Sequence, residues 1–313
     1  MQSGASFFTP MPDAPSSATR AGYVAIVGRP NAGKSTLLNR LVGEKLAITS
    51  PKPQSTRDRV VGIRTEATSQ LVFLDTPGLL EPRYALHQAM QSAAREALRD
   101  ADVVLHLFDA TGDLSDAALD LAAAAGSSSP IRAPVLRVAN KIDLIPGDAR
   151  AAVAHEFPDA IAISAHTGAG VDALVARAAD LLPESQFLYP DDELSTHPVR
   201  YFVAEMIRET ALESLDDEVP YAVACEIDEY REARRPVYIR ATLYVERDSQ
   251  RGILIGARGA RLREIGRASR AKIEAFVGGS VYLDLWVKVL HNWRRDVRAL
   301  RRFGYHTVPA SER

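Results

Sequence analysis

The segment Gly28-Arg29-Pro30-Asn31-Ala32-Gly33-Lys34-Ser35 constrains the fold of this 313-residue chain more than any other. It follows an apolar run, Tyr23 to Val27, that reads as a buried strand, and it opens an amphipathic stretch, Lys34 to Leu41, that reads as a helix. A strand that ends in a glycine turn and feeds straight into a helix belongs to a layered α/β unit. Glycines let backbone approach a ligand where a Cβ would block it. The amides at the helix start add positive potential, so the loop suits phosphate oxygens. In that arrangement Lys34 reaches the β- and γ-phosphates of a nucleotide, the Ser35 hydroxyl ligates Mg2+, and Thr36 completes the run of contacts.

The pattern continues as that unit requires. Val60 to Thr65 and Leu71 to Leu74 read as a hairpin pair of strands. Tyr84 to Leu98 reads as a helix, Val103 to Phe108 as a strand and Asp116 to Ala125 as an alanine-rich helix. Val135 to Val138 and Ala160 to Ile163 read as strands, and Val171 to Leu182 as a helix. Strands alternating with helices predict a mainly parallel sheet covered on both faces.

Pro183 stops the last of these helices, and Glu184 to Pro198 is rich in proline and acid, which predicts an interdomain linker. The domains expected are a disordered tail over 1–20, a nucleotide-binding domain over 21–183, a linker over 184–198 and a second, α+β domain over 199–308. In the last, a helix (Val199 to Glu213) precedes strands near Tyr221 to Glu229 and Val237 to Glu246. A short helix, a glycine turn and a longer helix to Phe276 follow, then a strand, Val281 to Val289, and a helix, Asn292 to Leu300. Every second residue of Val281 to Val289 is aliphatic, so one of its faces is expected to be buried.

Composition limits the partners. A formal net charge of -2 excludes a general polycation, so any nucleic-acid site must be a local patch. The single cysteine, Cys225, cannot form an internal disulfide or a multi-cysteine zinc site; it reads as a small buried hydrophobe, and a reducing cytosol fits best. No apolar run reaches the roughly 18 to 20 residues of a membrane helix. The first basic residue is Arg20, which argues against a signal peptide.

Three further motifs sit at predicted strand ends. Asp75-Thr76-Pro77-Gly78 offers a carboxylate to hold Mg2+ through water and a Gly78 amide to sense a γ-phosphate. Asn140-Lys141-Ile142-Asp143 separates guanine from adenine: the Asp143 carboxylate accepts from guanine N1-H and the 2-amino group, and adenine offers neither. Asn140 braces the loop, and the Lys141 stem covers the base plane. Ile163-Ser164-Ala165 supplies a backbone amide to guanine O6. Together, in this order, they predict a GTP site.

With these motifs the chain resembles the Era family of GTPases from about residue 22 to 308. The resemblance implies that Gln54-Ser55-Thr56-Arg57-Asp58 is the first switch, with Thr56 on Mg2+ and the γ-phosphate. It also places Leu79 where many GTPases carry a water-orienting glutamine, so turnover should be slow. Asn31 then becomes a candidate K+ ligand. The same resemblance makes Ile253-Leu254-Ile255-Gly256-Ala257-Arg258-Gly259 the Gly-x-x-Gly turn of a type II KH domain. Such a turn clamps about four nucleotides of single-stranded RNA. Arg258, Arg261, Arg263, Arg267, Arg270 and Lys272 follow, opposed in that helix only by Glu264 and Glu274, and are expected to meet phosphates. A second basic run, Arg294, Arg295, Arg298, Arg301 and Arg302, is open between RNA contact and a solvated face.

The partners implied are GTP and GDP, the 3′ region of 16S rRNA and the 30S subunit, in the cytoplasm, with a weak peripheral association with the inner membrane. The residues themselves leave open a GTPase whose second domain binds protein, or one coupled to RNA modification.

Overall fold

A computed structural model describes residues 18–50, 52–78, 82–112, 131–216, 218–233, 235–305 and 307. The amino-terminal sheet is built from β1 (Arg20–Val27), β2 (Val60–Thr65), β3 (Ser69–Asp75), β4 (Val103–Asp109), β5 (Val135–Asn140) and β6 (Ile161–Ala162), in the order β2-β3-β1-β4-β5-β6. Only β2 runs antiparallel, as the hairpin partner of β3; β1 pairs parallel with both β3 and β4. The central position of β1 explains its unbroken apolar run, because Val24, Ala25, Ile26 and Val27 are all fully buried, from both faces.

Alternate residues feed two cores. Val24, Ile26, Phe73 and Leu105 pack with α1 (Lys34–Val42) and α4 (Val171–Leu181). Ala25, Val27, Val72 and Leu74 pack against α2 (Ala85–Asp100), which contributes Ala97 and Leu98. The helix α3 (Gly147–Glu156) was not expected: only Val153 of it is buried, so it carries no apolar stripe to read. The helix expected over 116–125 and Leu79 lie outside the described residues.

The chain leaves β1 toward β3 on one side and reaches β4 on the other. The strand order therefore reverses at β1, which opens a crevice at the carboxyl ends of the strands.

Residues 184–198, expected to be a linker, form a strap held along the sheet. Gln70 accepts from the amides of Leu188 and Tyr189 and donates to Tyr189 O. Ile63 N donates to Leu194 O at 2.8 Å, which covers the free edge of β2.

The carboxy-terminal domain runs α5 (Val199–Ser214), β7 (Ala224–Arg231), β8 (Val237–Val245), α6 (Asp248–Ile255), α7 (Ala260–Val277), β9 (Val281–Val289) and α8 (Val297–Arg302). The sheet order is β7-β8-β9, with β7 antiparallel and β9 parallel to β8. Ile239, Ala241, Leu243 and Val245 of β8 meet Val203 and Ile207 of α5 and Ile265 and Ile273 of α7 in one core.

Three expectations shift here. β9 alternates as read but is an edge strand, so Leu283, Leu285 and Val287 are half-buried and only Val281 is buried. β7 begins at Ala224 because Val219–Ala222 form a 3-10 turn. The last helix starts late: Trp293–Arg295 form another 3-10 turn, and Asp296 caps α8 by accepting from Arg298 N. Cys225 is half-buried beside the core, and burial pushes its thiol pKa up.

Candidate functional site

The crevice collects the four sequence motifs, each at the carboxyl end of a strand. Gly28 follows β1, and its φ of 154° leaves no room for a side chain, since a Cβ there would lie 2.1 Å from Leu107 O. Gly33 caps α1 at φ 97° with no side-chain hydrogen bond, which leaves the first amides of the helix facing the crevice for an anion. Lys34 Nζ donates to Gly28 O at 3.0 Å and Arg29 O at 2.8 Å. Burial lowers its pKa to about 8, against the attraction of Asp75.

Ser35, Thr56 and Asp75 meet in one cluster. Ser35 Oγ lies 2.8 Å from Thr56 Oγ1 and donates to Asp75 Oδ2 at 2.8 Å, and Thr56 Oγ1 donates to the same oxygen at 3.3 Å. Asp75 is fully buried and burial pushes its pKa up to about 6; Lys34 and the two hydroxyls oppose that rise. Its Oδ1 is buried without a hydrogen-bond partner. Two hydroxyls and a carboxylate with one orphaned oxygen fit a hard divalent cation completed by phosphate and water. Beside Thr56, the carbonyl of Ser55 accepts from Arg208.

Gly78 closes over the phosphate loop so tightly that a Cβ would stand 2.8 Å from Pro30 N and Cγ. Thr76 donates to Ile26 O, which fixes the start of this turn on β1. A cavity of about 480 Å3 lies between the loop and residues 48–50 and 54–56, and Asn31, at φ 62°, and Thr36 are on its wall.

Asn140 braces the far end of the crevice, as its motif led one to expect. Asn140 Nδ2 donates to Ala32 O at 2.8 Å while its Oδ1 accepts from Ala165 N at 2.9 Å, tying the phosphate loop to the Ser164-Ala165 turn. Lys141, at φ 69°, pairs with Asp109 at 2.5 Å. Asp143, expected to accept from guanine, is exposed.

The second domain carries its own site. Gly256 (φ 70°), Arg258 (φ 50°) and Gly259 (φ 75°) form a tight turn between α6 and α7, with Ala257 and Arg258 exposed. The glycines serve different ends. A Cβ at Gly256 would meet Arg261 Cβ at 2.8 Å, whereas at Gly259 only the Arg263 guanidinium is near and the positive φ is the constraint. Beside the turn, a second cavity of about 480 Å3 has Leu262, Leu283 and Leu285 on its floor and Arg263, Arg267 and Arg270 at its rim. Apolar floor and guanidinium rim suit a single-stranded nucleic acid.

Not every expected cation joins that groove. Arg261 turns back to Ile253 O. Lys272 is taken by Glu209 and Glu213 of α5, at 2.9 and 2.8 Å, so it joins helices and is withdrawn from phosphate contact. In the second basic run, Arg294 pairs with Glu246 and stacks on Tyr84, and Arg302 pairs with Glu226 and stacks on Tyr244, which makes both structural.

Sequence reasoning missed the seam between the domains. Glu209, buried in α5, accepts from Lys45, Thr49 N and Lys272. Leu86 and Met90 of α2 pack with Trp293, whose Nε1 donates to Ala222 O. No local signal marks these residues, since each partner is distant in the sequence or reads alone as a solvated charge.

The family model described as 50S ribosome-binding GTPase matches residues 23–141, and that of the KH domain matches residues 218–294. GTPase Era of Geobacter metallireducens is 44% identical over 297 residues, covering 91% of this chain and 98% of the relative. The crystal structure of an Aquifex aeolicus Era variant bound to GDP and aluminium fluoride is similar at TM-score 0.83 and 39% identity, covering 92% of this chain and 99% of that one. A structure of Era with MgGDPNP and nucleotides 1506-1542 of 16S ribosomal RNA is similar at TM-score 0.84 and 39% identity, with the same coverage.

Proposed function

This chain belongs to the Era family of GTPases, and we propose that it is a switch that binds the 3′ region of 16S rRNA under control of GTP and assists assembly of the 30S subunit. The observation that carries the RNA reading is the arginine-rimmed, leucine-floored groove beside Gly256 and Gly259. It is supported by the related structure, which holds a 16S rRNA fragment.

In the nucleotide site, the loop amides from Gly28 to Ser35 and the start of α1 bind the phosphates, and Lys34, anchored on Gly28 O and Arg29 O, adds its charge. Ser35 and Thr56 would hold Mg2+ directly and Asp75 through water, and an ion bound there would supply charge neutralisation to the phosphates. Asn140 keeps the base-binding loops in register, Asp143 reads guanine and Lys141 covers the base; the Ile163, Ser164 and Ala165 amides, expected to offer one donor to O6, are held by Ala139 O, Ala169 O and Asn140 Oδ1 instead. GTP orders Thr56 and Gly78 against its γ-phosphate, shifts the seam between the domains and changes the affinity for RNA; hydrolysis releases both loops. We place K+ at Asn31, on the cavity wall. Leu79 lies outside the described residues and enters only as an apolar residue that cannot orient water.

The proposed RNA partner places the protein in the cytoplasm. Peripheral attachment to the inner membrane rests on the resemblance alone, and no helix among the described residues is long and apolar enough to cross a membrane.

The groove is tested by the double substitution Ala257→Asp, Arg258→Asp, which adds repulsion on an exposed turn without touching a core. A single-stranded RNA from the 3′ end of 16S rRNA should bind steeply less well, with GTP affinity near native. Each phosphate that the variant no longer neutralises should reduce the salt slope by about 0.7 log units. Native-strength RNA binding by the variant would remove the turn from the RNA site.

A further inference from the structure

The stretch 55–57 stands out because its three residues face three different places. Thr56 lies in the Ser35–Asp75 cluster. On one side Ser55 O accepts from Arg208 of α5. On the other, Arg57 leaves the amino-terminal domain altogether. Its guanidinium is buried, donates from NH1 to Val223 O at 2.7 Å and from NH2 to Tyr221 O at 3.0 Å, and stands 5.7 Å above the ring of Trp293.

Both arginines are costly to place there. Arg208 is as buried as Arg57 and is neutralised by Glu205, three residues before it on α5. Arg57 Nε and Arg208 NH1 are buried without hydrogen-bond partners. Arg57 is held by carbonyls and Arg208 by Glu205 and one carbonyl, and buried cations of this kind are retained where their geometry does something a hydrophobic pair would not. Here Arg208 bonds the carbonyl of the peptide unit before Thr56, and the side chain of the next residue, Arg57, is held by carbonyls of the carboxy-terminal domain, so both neighbours of Thr56 are tied to that domain. The turn that holds Arg57 is itself fixed by the Trp293 indole, which donates to Ala222 O.

We propose that Arg57 and Arg208 form an interdomain latch that positions Thr56 on the Mg2+ site, so that docking of the KH domain is part of assembling the GTP-bound switch. Neither residue touches nucleotide; both act through Thr56 and are positioning residues. By linkage, whatever closes the latch raises affinity for Mg·GTP, and Mg·GTP closes the latch to the same degree. An RNA that favours a different placement of the KH domain then loosens Thr56, which gives the bound RNA a route to the hydrolysis site. The inference rests on the switch reading above and adds the residues that carry it.

Arg57→Ala, Thr56→Ala and the double variant in the full chain test it, with Arg57→Lys as the variant that keeps charge but loses the fork. Arg57→Ala is expected to keep GDP affinity within about twofold and to raise the Mg2+ half-saturation for a non-hydrolysable GTP analogue about tenfold, a typical coupling. Single-turnover hydrolysis should fall similarly, and the ratio of RNA affinities in the GTP-analogue and GDP states should collapse toward one. Adding Arg57→Ala to Thr56→Ala should cost nothing further in Mg2+ half-saturation, because one acts through the other. Arg57→Lys should fall between native and Arg57→Ala. Additive losses in the double variant, or native Mg2+ dependence in Arg57→Ala, would overturn the latch. A native protein whose RNA affinity ignores nucleotide would instead overturn the switch reading, independently of how Arg57→Ala affects Mg2+.

Discussion

Asp75 offers a sharp test of the metal cluster, because it is fully buried and its pKa is raised to about 6 from an ordinary 3.8. The folded state therefore holds this proton more tightly than the unfolded state does, so ionising Asp75 costs stability as pH rises from the unfolded value through the folded one. Integrating between those values gives a penalty of about 1 kcal/mol near pH 4.5 and about 3 kcal/mol near pH 7. Asp75→Asn removes the titration while its amide oxygen can still accept from Ser35. The amide's own misfit at the orphaned position costs the same at every pH and cancels in the comparison. Without nucleotide or Mg2+, the stability of Asp75→Asn relative to native should thus rise by about 2 kcal/mol between about pH 4.5 and pH 7, below the range where Lys34 titrates. Urea unfolding of both proteins across that range measures it. Adding Mg2+ and a GTP analogue should stabilise native more than the variant, because the ion restores Asp75 to its charged form. A stability difference that does not change with pH would refute the reasoning.

Base selection should rest on Asp143: the native protein should prefer GTP to ATP by about 10⁴-fold, and Asp143→Asn should move the preference to xanthosine nucleotides, read by competition binding. Equal GTP and ATP affinities would sink that assignment. Hydrolysis should be slow and faster in KCl than in NaCl at equal ionic strength, and Asn31→Ala should erase the difference while GTP still binds; identical native rates in both salts would remove the cation role. Gly78→Ala should keep GDP binding and weaken a GTP analogue, because its Cβ would press on Pro30 at 2.8 Å; unchanged analogue affinity would show that this turn does not close on the γ-phosphate.

The sheet and the crevice were legible because their signals are local. Glycines at fixed spacing, an apolar run both before and after, and polar residues just past each strand end place Lys34, Asp75, Asn140 and Ser164 without knowledge of tertiary contacts. The alternation in Val281 to Val289 likewise gave that strand its bounds. What escaped depends on distant partners. The strap over 184–198 reads as a linker from its prolines, yet Gln70 and Ile63 hold it down. Lys272 has the sequence of a phosphate contact and is claimed by Glu209 and Glu213 instead. Arg57 looks like any loop arginine, and only the fold brings Val223 and Trp293 to it.

The central claim is that nucleotide state governs RNA binding through the seam between the two domains. Its most direct measurement is the affinity of the full chain for a single-stranded RNA from the 3′ end of 16S rRNA, titrated at one fixed salt concentration with Mg·GDP and with Mg and a non-hydrolysable GTP analogue. The account predicts different affinities, by about tenfold for a coupling of ordinary size. Equal affinities in the two states, with both nucleotides shown to be bound, would contradict it.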